Sequence, residues 1–397
     1  MVEENWQNLV SMFFDQAQRL GNAPFLWKKE GGKYEPISWA ETAEKVSALA
    51  RGLAGLGIDA GDRVALISGN RPEWMIAELA IQARRAIAVP AFTTNTVDDH
   101  LHIFSNSGAK AAILSSRKLS ARVMEAAHRA GTVEKIIAME ELELSQAGAI
   151  ETLHWDKVLE AGRQSPDDVA KEAGEIGSGD TAIIIYTSGT GGAPKGVMLH
   201  HGAIMHNCRG AAHALAELGL GSEVFLSFLP LSHSYEHMAG HFFPVFIGAQ
   251  IYYSQGIEHL SANMAEAHPT LMTAVPRLYE LMHGRIVKDM KDASPFKKKL
   301  FWRAVELGRR KIEGPELATF GEKLSNKLLD ILVRSKVKKR FGGHLKALIS
   351  GGAPLNYDIG LFFSALGLRL LQGYGQTESA PLISVNLPTK IKLRTVG

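Results

Sequence analysis

Residues 182–197 read AIIIYTSGTGGAPKGV, an apolar strand running into a glycine-rich loop. The loop combines the hydroxyls of Thr187, Ser188 and Thr190 with Gly189, Gly191, Gly192, Gly196 and Lys195. Glycine lets backbone N–H groups approach an anion closely, hydroxyls donate to its oxygens, and an ammonium neutralises its charge. These residue types together point to a loop for polyphosphate. An ordinary turn between two strands would not need Thr187, Ser188, Thr190 and Lys195 at once. The Walker pattern is disfavoured, because it places Gly directly before the Lys and Ser or Thr directly after. Here Pro194 and Gly196 occupy those places.

Outward from this loop, short β-rich apolar runs alternate with longer amphipathic ones. Residues 63–67, 87–90, 111–114 and 135–138 read as buried strands, with helical patterns at 39–56, 73–84, 97–106 and 116–130. A second series of strands is expected at 182–187, 224–229, 250–253, 270–275, 347–350 and 369–372. Strand, helix and strand at this spacing mean βαβ units. The fold class is therefore α/β, as two packed βαβ-type subdomains with largely parallel sheets. Residues 24–36 read as a hairpin. The polar stretch 164–180 is the natural linker, dividing the chain into 1–170 and 171–397, the second carrying the phosphate loop. Ligands of parallel sheets bind beyond the carboxyl ends of strands. The loops after Thr187, Leu229, Ser350 and Gln372 are the places for chemistry.

Composition narrows the class. The 397 residues are 46% hydrophobic and 21% charged, enough to bury a sizeable core and too apolar for a disordered chain. Lys+Arg 44 against Asp+Glu 41 leaves only +3, so global charge does not argue for nucleic acid. Cys208 is the single cysteine, which excludes an intramolecular disulfide framework. Met1 is followed by acidic and polar residues, not by a secretory signal. The longest apolar stretch, 242–253, is broken by Pro244, Gly248 and Gln250; a spanning helix needs about 20 residues. The expected location is cytoplasmic. From 276 to 341 a basic helical stretch carries Lys297, Lys298 and Lys299, then Arg309, Arg310 and Lys311, then Lys336, Lys338, Lys339 and Arg340. Solvated helix faces account for such runs; the functional alternative is an anionic surface near a phosphate-bearing ligand or a membrane headgroup layer. No amphipathic anchor stands out in the sequence.

The segment around Thr187–Lys195 resembles the phosphate-binding signature of the acyl-adenylate-forming superfamily, which contains the acyl-CoA synthetases. It departs from the usual form at Gly191, where a Thr is usual, so weaker ATP contacts are expected. Residues 372–378, QGYGQTE, resemble the family's second signature, and 350–355, SGGAPL, lies between the two in family order. The resemblance implies catalytic roles for Thr187, Lys195, Thr377 and Glu378. It implies nucleotide contacts for Ser188, Gly189, Thr190, Gly191, Gly192, Gly352, Gln372, Gly373 and Tyr374. Tyr374 would stack on adenine, Thr377 would reach the α-phosphate, and Thr187 and Glu378 would ligate Mg²⁺.

Residues 229–237, LPLSHSYEH, resemble the family's acyl-pocket segment, which implies substrate contacts for His233, Ser234 and His237, the last as a gate of the fatty-acyl tunnel. The same stretch carries a rival reading. His233, His237 and His241 are spaced i, i+4, i+8 and on one helix could share a face and ligate a transition metal. His200, His201 and His206 read as surface or cap residues, and Cys208 as a small buried hydrophobe.

The motifs at 70–74 and 274–280 and the basic helices look most like the long-chain fatty acyl-CoA synthetase branch. The implied activity is ATP-dependent activation of a fatty acid to acyl-adenylate, followed by transfer to coenzyme A, with ATP, Mg²⁺, fatty acid and coenzyme A as the ligands. The family's ribose-binding Asp, hinge and small C-terminal domain find no counterpart before Gly397. The expectation is a large N-terminal portion with impaired turnover. The alternatives are a nucleotide- and acyl-binding module without turnover, and an aryl or medium-chain acid ligase.

Overall fold

The computed structural model describes residues 6–142, 150–187, 192–314 and 319–397, arranged as two units. The first comprises Met1–Arg209, Pro230–Gly248 and Thr377–Pro381. A helix, Leu9–Leu20, is followed by a hairpin, β1 (Pro24–Glu30) and β2 (Lys33–Ser38), closed by Gly31 and Gly32. Both glycines have positive φ, which a two-residue turn matched to strand twist requires.

A seven-stranded sheet follows, built from β3 (Arg63–Ile67), β4 (Ile87–Ala91), β5 (Ala109–Leu114), β6 (Lys135–Ala138), β7 (Glu151–His154), β8 (Thr181–Thr187) and β9 (Lys195–His200). The order is β7-β6-β5-β3-β4-β8-β9. Every described pair is parallel except β8–β9. The central strands are apolar throughout because helices cover both faces of such a sheet. The helix Pro72–Ala83, with Pro at its first turn, is buried on nearly every side, as a helix that is apolar all round must be.

The expected helices and strands of this half recur within a few residues, but the domain boundary does not fall near 170. Strand β8 pairs with β4, Ala88 opposite Ile183, so the phosphate-loop strands belong to the first sheet. An apolar edge selects its partner by burial, whatever the chain order. The stretch 164–180 is also not a free linker. It forms helical turns at Val169–Glu172 and Ala173–Glu175 and buries Val169, Ala173 and Ile176. The buried Asn8 amide donates to the carbonyls of Ala173 at 2.9 Å and Ile176 at 3.0 Å.

The second unit comprises Gly210–Leu229, Ala249–Gln376 and Leu382–Gly397. Its strands are β10 (Val224–Ser227), β11 (Gln250–Tyr253), β12 (Leu271–Ala274), β13 (Ala347–Ser350), β14 (Leu370–Gly375) and β15 (Leu382–Val385), in the order β15-β14-β13-β12-β10-β11. All pair in parallel except β14–β15. Helices Pro276–Lys291, Pro295–Glu313 and Tyr357–Ala365 pack a core that includes Tyr279, Phe301, Leu307 and Phe363. Among the described residues no helix is long and apolar enough to cross a membrane.

Two glycines set the tightest helix crossing of the first unit. Gly162, in the helix Trp155–Arg163, meets the Ala48 carbonyl, and Gly52, in the helix Trp39–Gly55, meets Val158. A β-carbon at either position would overlap backbone atoms that cannot rotate away. Gly162→Val is therefore expected to destabilise the protein by about 1–3 kcal/mol or more, read as a drop in urea midpoint. Gly210→Ala, with open space around its β-position, serves as the control and should leave the midpoint nearly unchanged.

Candidate active site

The phosphate loop closes the antiparallel pair β8–β9. Thr187 lies opposite Lys195 in the ladder and Tyr186 opposite Gly196, so Thr187 and Lys195 are presented on the same face. Thr187 is half-buried and Lys195 exposed. Ser188, Gly189, Thr190 and Gly191 lie outside the described residues, and Gly192 adopts φ +100°, a conformation open to glycine alone at low cost. A β-carbon on Gly196 would come within 2.8 Å of Ile184 Cγ2 and 3.1 Å of the Tyr186 ring. That contact is a local reason for Gly after the lysine, where a Walker loop has a hydroxyl residue.

Both shoulders of the loop are gripped by one helix, Val97–Ser107. The Tyr186 hydroxyl donates to Asn106 Oδ1 at 2.7 Å, and His102 Nε2–H donates to the Pro194 carbonyl at 2.7 Å. His102 and Asn106 are four residues apart and so share a helix face. The imidazole also meets the Tyr186 ring edge-on, with centroids 5.8 Å apart. Burial pushes the Tyr186 hydroxyl above its ordinary pKa. Neither His102 nor Asn106 stood out in the sequence, because their partners are 92 and 80 residues away.

The short turn Thr377–Ser379 belongs to the same unit and packs against β9. The Asn207 amide donates to the Ser379 carbonyl at 2.9 Å. Thr377 Oγ1 and Ser234 Oγ share a hydrogen bond of 2.9 Å. Ser234, expected to touch substrate, thus holds the hydroxyl of Thr377. Glu378 is exposed and makes no hydrogen bond or ion pair among the described residues.

The 229–237 segment is fixed from below. Leu231 N–H donates to Asn70 Oδ1 at 3.2 Å, and His233 Nδ1 accepts from the Tyr235 N–H at 3.1 Å, capping a helical turn at Ser234–Glu236. His237–Phe242 continues as a π-helical turn. That wider turn stacks His237 on His241 with centroids 5.6 Å apart and aims both at Glu78, at 2.6 Å and 3.0 Å. All three groups are buried. His237 is therefore the partner of a buried carboxylate. Among the described residues no group of three or more His, Cys, Asp and Glu is disposed to hold a metal, so the three-histidine metal reading is not supported.

Burial pushes the Glu78 carboxyl upward, but His237 and His241 outweigh it and hold it down at about 2. Burial pushes His241 and His201 below the ordinary imidazole value, His201 to about 4. His201 is a core residue, accepting from the Leu9 N–H at 3.4 Å, where a surface or cap position was expected. His200 does cap, its Nδ1 accepting from the Ala203 N–H at 3.0 Å. Cys208 is fully buried and its thiol is pushed well above the usual range.

In the second unit, Gly352 follows β13 with φ +80°. Gln372, on β14, is buried; its amide donates to the Leu393 carbonyl at 2.7 Å and its N–H to Asn386 Oδ1 at 3.1 Å. Its side chain thus secures the strand, while Gly373 lies in register with Val385. The Tyr374 ring is 45% exposed, with its hydroxyl accepting from Gln376 Nε2 at 2.8 Å.

A family model described as "AMP-binding enzyme" matches residues 13–397. The long-chain-fatty-acid–CoA ligase FadD15 of Mycobacterium bovis is 29% identical over 98% of this chain and 64% of its own length. The human long-chain-fatty-acid–CoA ligase ACSBG2 is 27% identical over 99% of this chain and 60% of its own. The chain thus spans less than two thirds of the length of these curated relatives. The N-terminal domain of FACL13 from Mycobacterium tuberculosis superposes with a TM-score of 0.69 at 22% identity, covering 97% of this chain and 79% of that one. The A domain of a carboxylic acid reductase from Segniliparus rugosus, in complex with AMP and a co-purified carboxylic acid, superposes with a TM-score of 0.72 at 20% identity, covering 97% of this chain and 62% of that one. These two likenesses carry the fold.

The buried cluster generates a pH-resolved expectation. Glu78→Gln leaves two buried imidazoles without their carboxylate and should cost about 3–5 kcal/mol near neutral pH. Because folding depresses the Glu78 pKa from 4.5 to about 2, its contribution is complete above pH 4.5 and is lost as pH falls toward 2. Urea midpoints of the wild type and Glu78→Gln should therefore differ most at neutral pH and converge below about 4. A constant gap across that window would show that the carboxylate does not titrate as a paired group.

Proposed function

This chain belongs to the AMP-binding enzyme family, and from that premise we propose that it activates a long-chain fatty acid with ATP and transfers it to coenzyme A. The observation that carries this reading is the gathering of Thr187, Lys195, Thr377 and Glu378 on adjoining strands and a turn of one unit. The acid specificity is supported by the relatives, and the nucleotide by the family. A cytoplasmic location is part of the same reading.

The first half-reaction forms a bond between a carboxylate oxygen and the α-phosphorus and releases pyrophosphate. The thiol of coenzyme A then attacks the acyl carbon and AMP leaves. The first step joins an anion to a polyanion, so its barrier is mainly electrostatic. Lys195 and the Thr187 hydroxyl would hold the β- and γ-phosphates at the mouth of the β8–β9 pair. Thr377, oriented by Ser234, would donate to the α-phosphate where charge develops. Glu378 and Thr187 offer hard oxygen donors that fit Mg²⁺, and Glu378 is free of competing partners among the described residues. Bound there, the ion would neutralise phosphate charge. Gly352, the Gln372–Gly373 backbone and the exposed Tyr374 ring would serve the adenosine end, and His233 would face the acid.

Acyl-hydroxamate formation with ATP and Mg²⁺, comparing palmitate, octanoate and benzoate, tests the assignment. The expected result is a palmitate-selective signal that falls about 10²–10³-fold in Glu378→Ala. Nucleotide binding without any acyl-hydroxamate would instead mark a binding module. His102→Ala combined with Asn106→Ala removes the grip on both loop shoulders. It is expected to raise the KM for ATP about tenfold, with a smaller change in the KM for palmitate.

A further inference from the structure

The second unit contains a cavity of about 560 Å³ that none of the candidate site residues lines. It lies at the amino-terminal ends of two parallel strands, where Lys346 precedes β13 and Arg369 precedes β14. Gly352 and Tyr374 belong to the opposite, carboxyl ends of the same strands. At about 3.3 Å per strand residue, Arg369 and Tyr374 stand roughly 16 Å apart along β14. The cavity is therefore a different place from the one expected to hold adenosine.

Its walls are of two kinds. Ile312, Leu345, Leu368, Ile391 and Leu393 form an apolar side, and Lys338, Lys346 and Arg369 supply cations. Among the described residues no acidic side chain lines it. Lys346 is already compensated, since its ammonium donates to the Gly219 carbonyl at 2.7 Å and pairs with the buried Glu223. The Lys338 ammonium has no hydrogen-bond or ion-pair partner among the described residues, and the Arg369 guanidinium has only the Lys346 carbonyl, at 3.4 Å. Two positive charges thus stand uncompensated at one apolar wall.

Local structure holds these groups in place. The stem of Lys338 passes Gly367, with Cε 3.2 Å from where a β-carbon would sit, so a side chain there would push the ammonium aside. The roof, residues 388–393, is pinned near both ends. Thr389 Oγ1 donates to Glu217 at 2.6 Å, and the Leu393 carbonyl accepts from the Gln372 amide at 2.7 Å. A wall fixed in advance lowers the ordering cost of binding.

We propose that this cavity binds a phosphate monoester carried on an apolar body. Near neutral pH such a group carries about −1.5 to −2 charges, which two free cations match and a carboxylate would only half satisfy. The planar Arg369 guanidinium offers paired N–H donors to phosphate oxygens, and Lys338 adds a point charge. The aliphatic wall selects the rest of the ligand. Inorganic phosphate would leave that wall in water, whereas a hydrocarbon or aromatic body would cover it. These positions carry no joint signal in the sequence, because only the sheet and its neighbouring helices bring 312, 338, 369 and 391 together.

The test uses no substrate and no turnover, so its failure and that of the proposed activity are separable. Binding of 1-naphthyl phosphate to the purified chain is followed by calorimetry. Saturable binding is expected, about tenfold or more tighter than for inorganic phosphate or for 1-naphthol. Lys338→Gln combined with Arg369→Gln should weaken it about tenfold or more, as should Ile312→Glu, which sets an anion on the apolar wall. All three side chains are exposed, so unchanged melting temperatures separate lost binding from lost folding. Lys195→Ala, in the phosphate loop, should leave the affinity for the probe unchanged. Absence of saturable binding by the wild type, undiminished binding by Lys338→Gln with Arg369→Gln, or equal affinity for inorganic phosphate overturns the proposal. So does loss of binding in Lys195→Ala, which would place the probe in the phosphate loop.

Discussion

The antiparallel closure of β8 by β9 is the constraint on which the candidate site depends. A glycine-rich loop able to wrap an anion carries a large conformational entropy, and fixing it only when ligand arrives would consume much of the binding energy. Here the loop enters and leaves through paired strands, Thr187 opposite Lys195. Its shoulders are held independently by Asn106 and His102 from a single helix. The strands on either side of the loop are therefore ordered before any ligand arrives. Gly196 belongs to the same solution, because the Tyr186 ring occupies the space that a side chain would need.

Below the 230–248 excursion, a second device does comparable work by a different means. A fully buried carboxylate is expensive unless paired, and Glu78 sits on a helix with almost no exposed surface. Two imidazoles and the Gln82 amide, at 3.2 Å, surround it. Such a pair adds little net stability relative to an apolar isostere, but removing one member is costly. Its use here is to fix register. The π-helical turn brings His237 and His241 to a single carboxylate, and this sets where Ser234 points when it meets Thr377.

How much of this was legible depended on the distance over which each decision is made. The strands at 63–67 and 135–138 could be bounded to the residue because a buried parallel strand is a continuous apolar run with sharp polar ends. The phosphate loop and the 372–378 signature could be read because their chemistry is local. What escaped was decided by partners far away in sequence. Strand β9, KGVMLH, has too weak an alternation to be seen until β8 is beside it. The unit boundary was drawn at a polar stretch, yet Asn8 binds that stretch 165 and 168 residues away. The side-chain role of Gln372 also escaped: its amide is taken by the Leu393 carbonyl, 21 residues on. Glu78 gave no signal at all, set among the apolar side chains of the helix Pro72–Ala83.

Some charges of the first unit are tied into pairs, as Arg71 with Glu73 at 2.8 Å and Lys110 with Asp62 at 2.9 Å. Lys195 and Glu378, on elements that pack together, have no such partners among the described residues. At an exposed position an unpaired charge costs little, since water solvates it and a surface ion pair would return only about 0–1 kcal/mol. Its presence matters when a polyanion and a divalent cation arrive together, because no internal ion pair must first be broken. The hydroxyl of Thr377 is treated in the opposite way, fixed by a neutral hydrogen bond to Ser234. A hydroxyl is effective as a donor only when its direction is set beforehand, whereas a cation acts through a field that tolerates a degree of motion. The site therefore spends its rigidity on the groups whose geometry matters and leaves free those whose charge suffices.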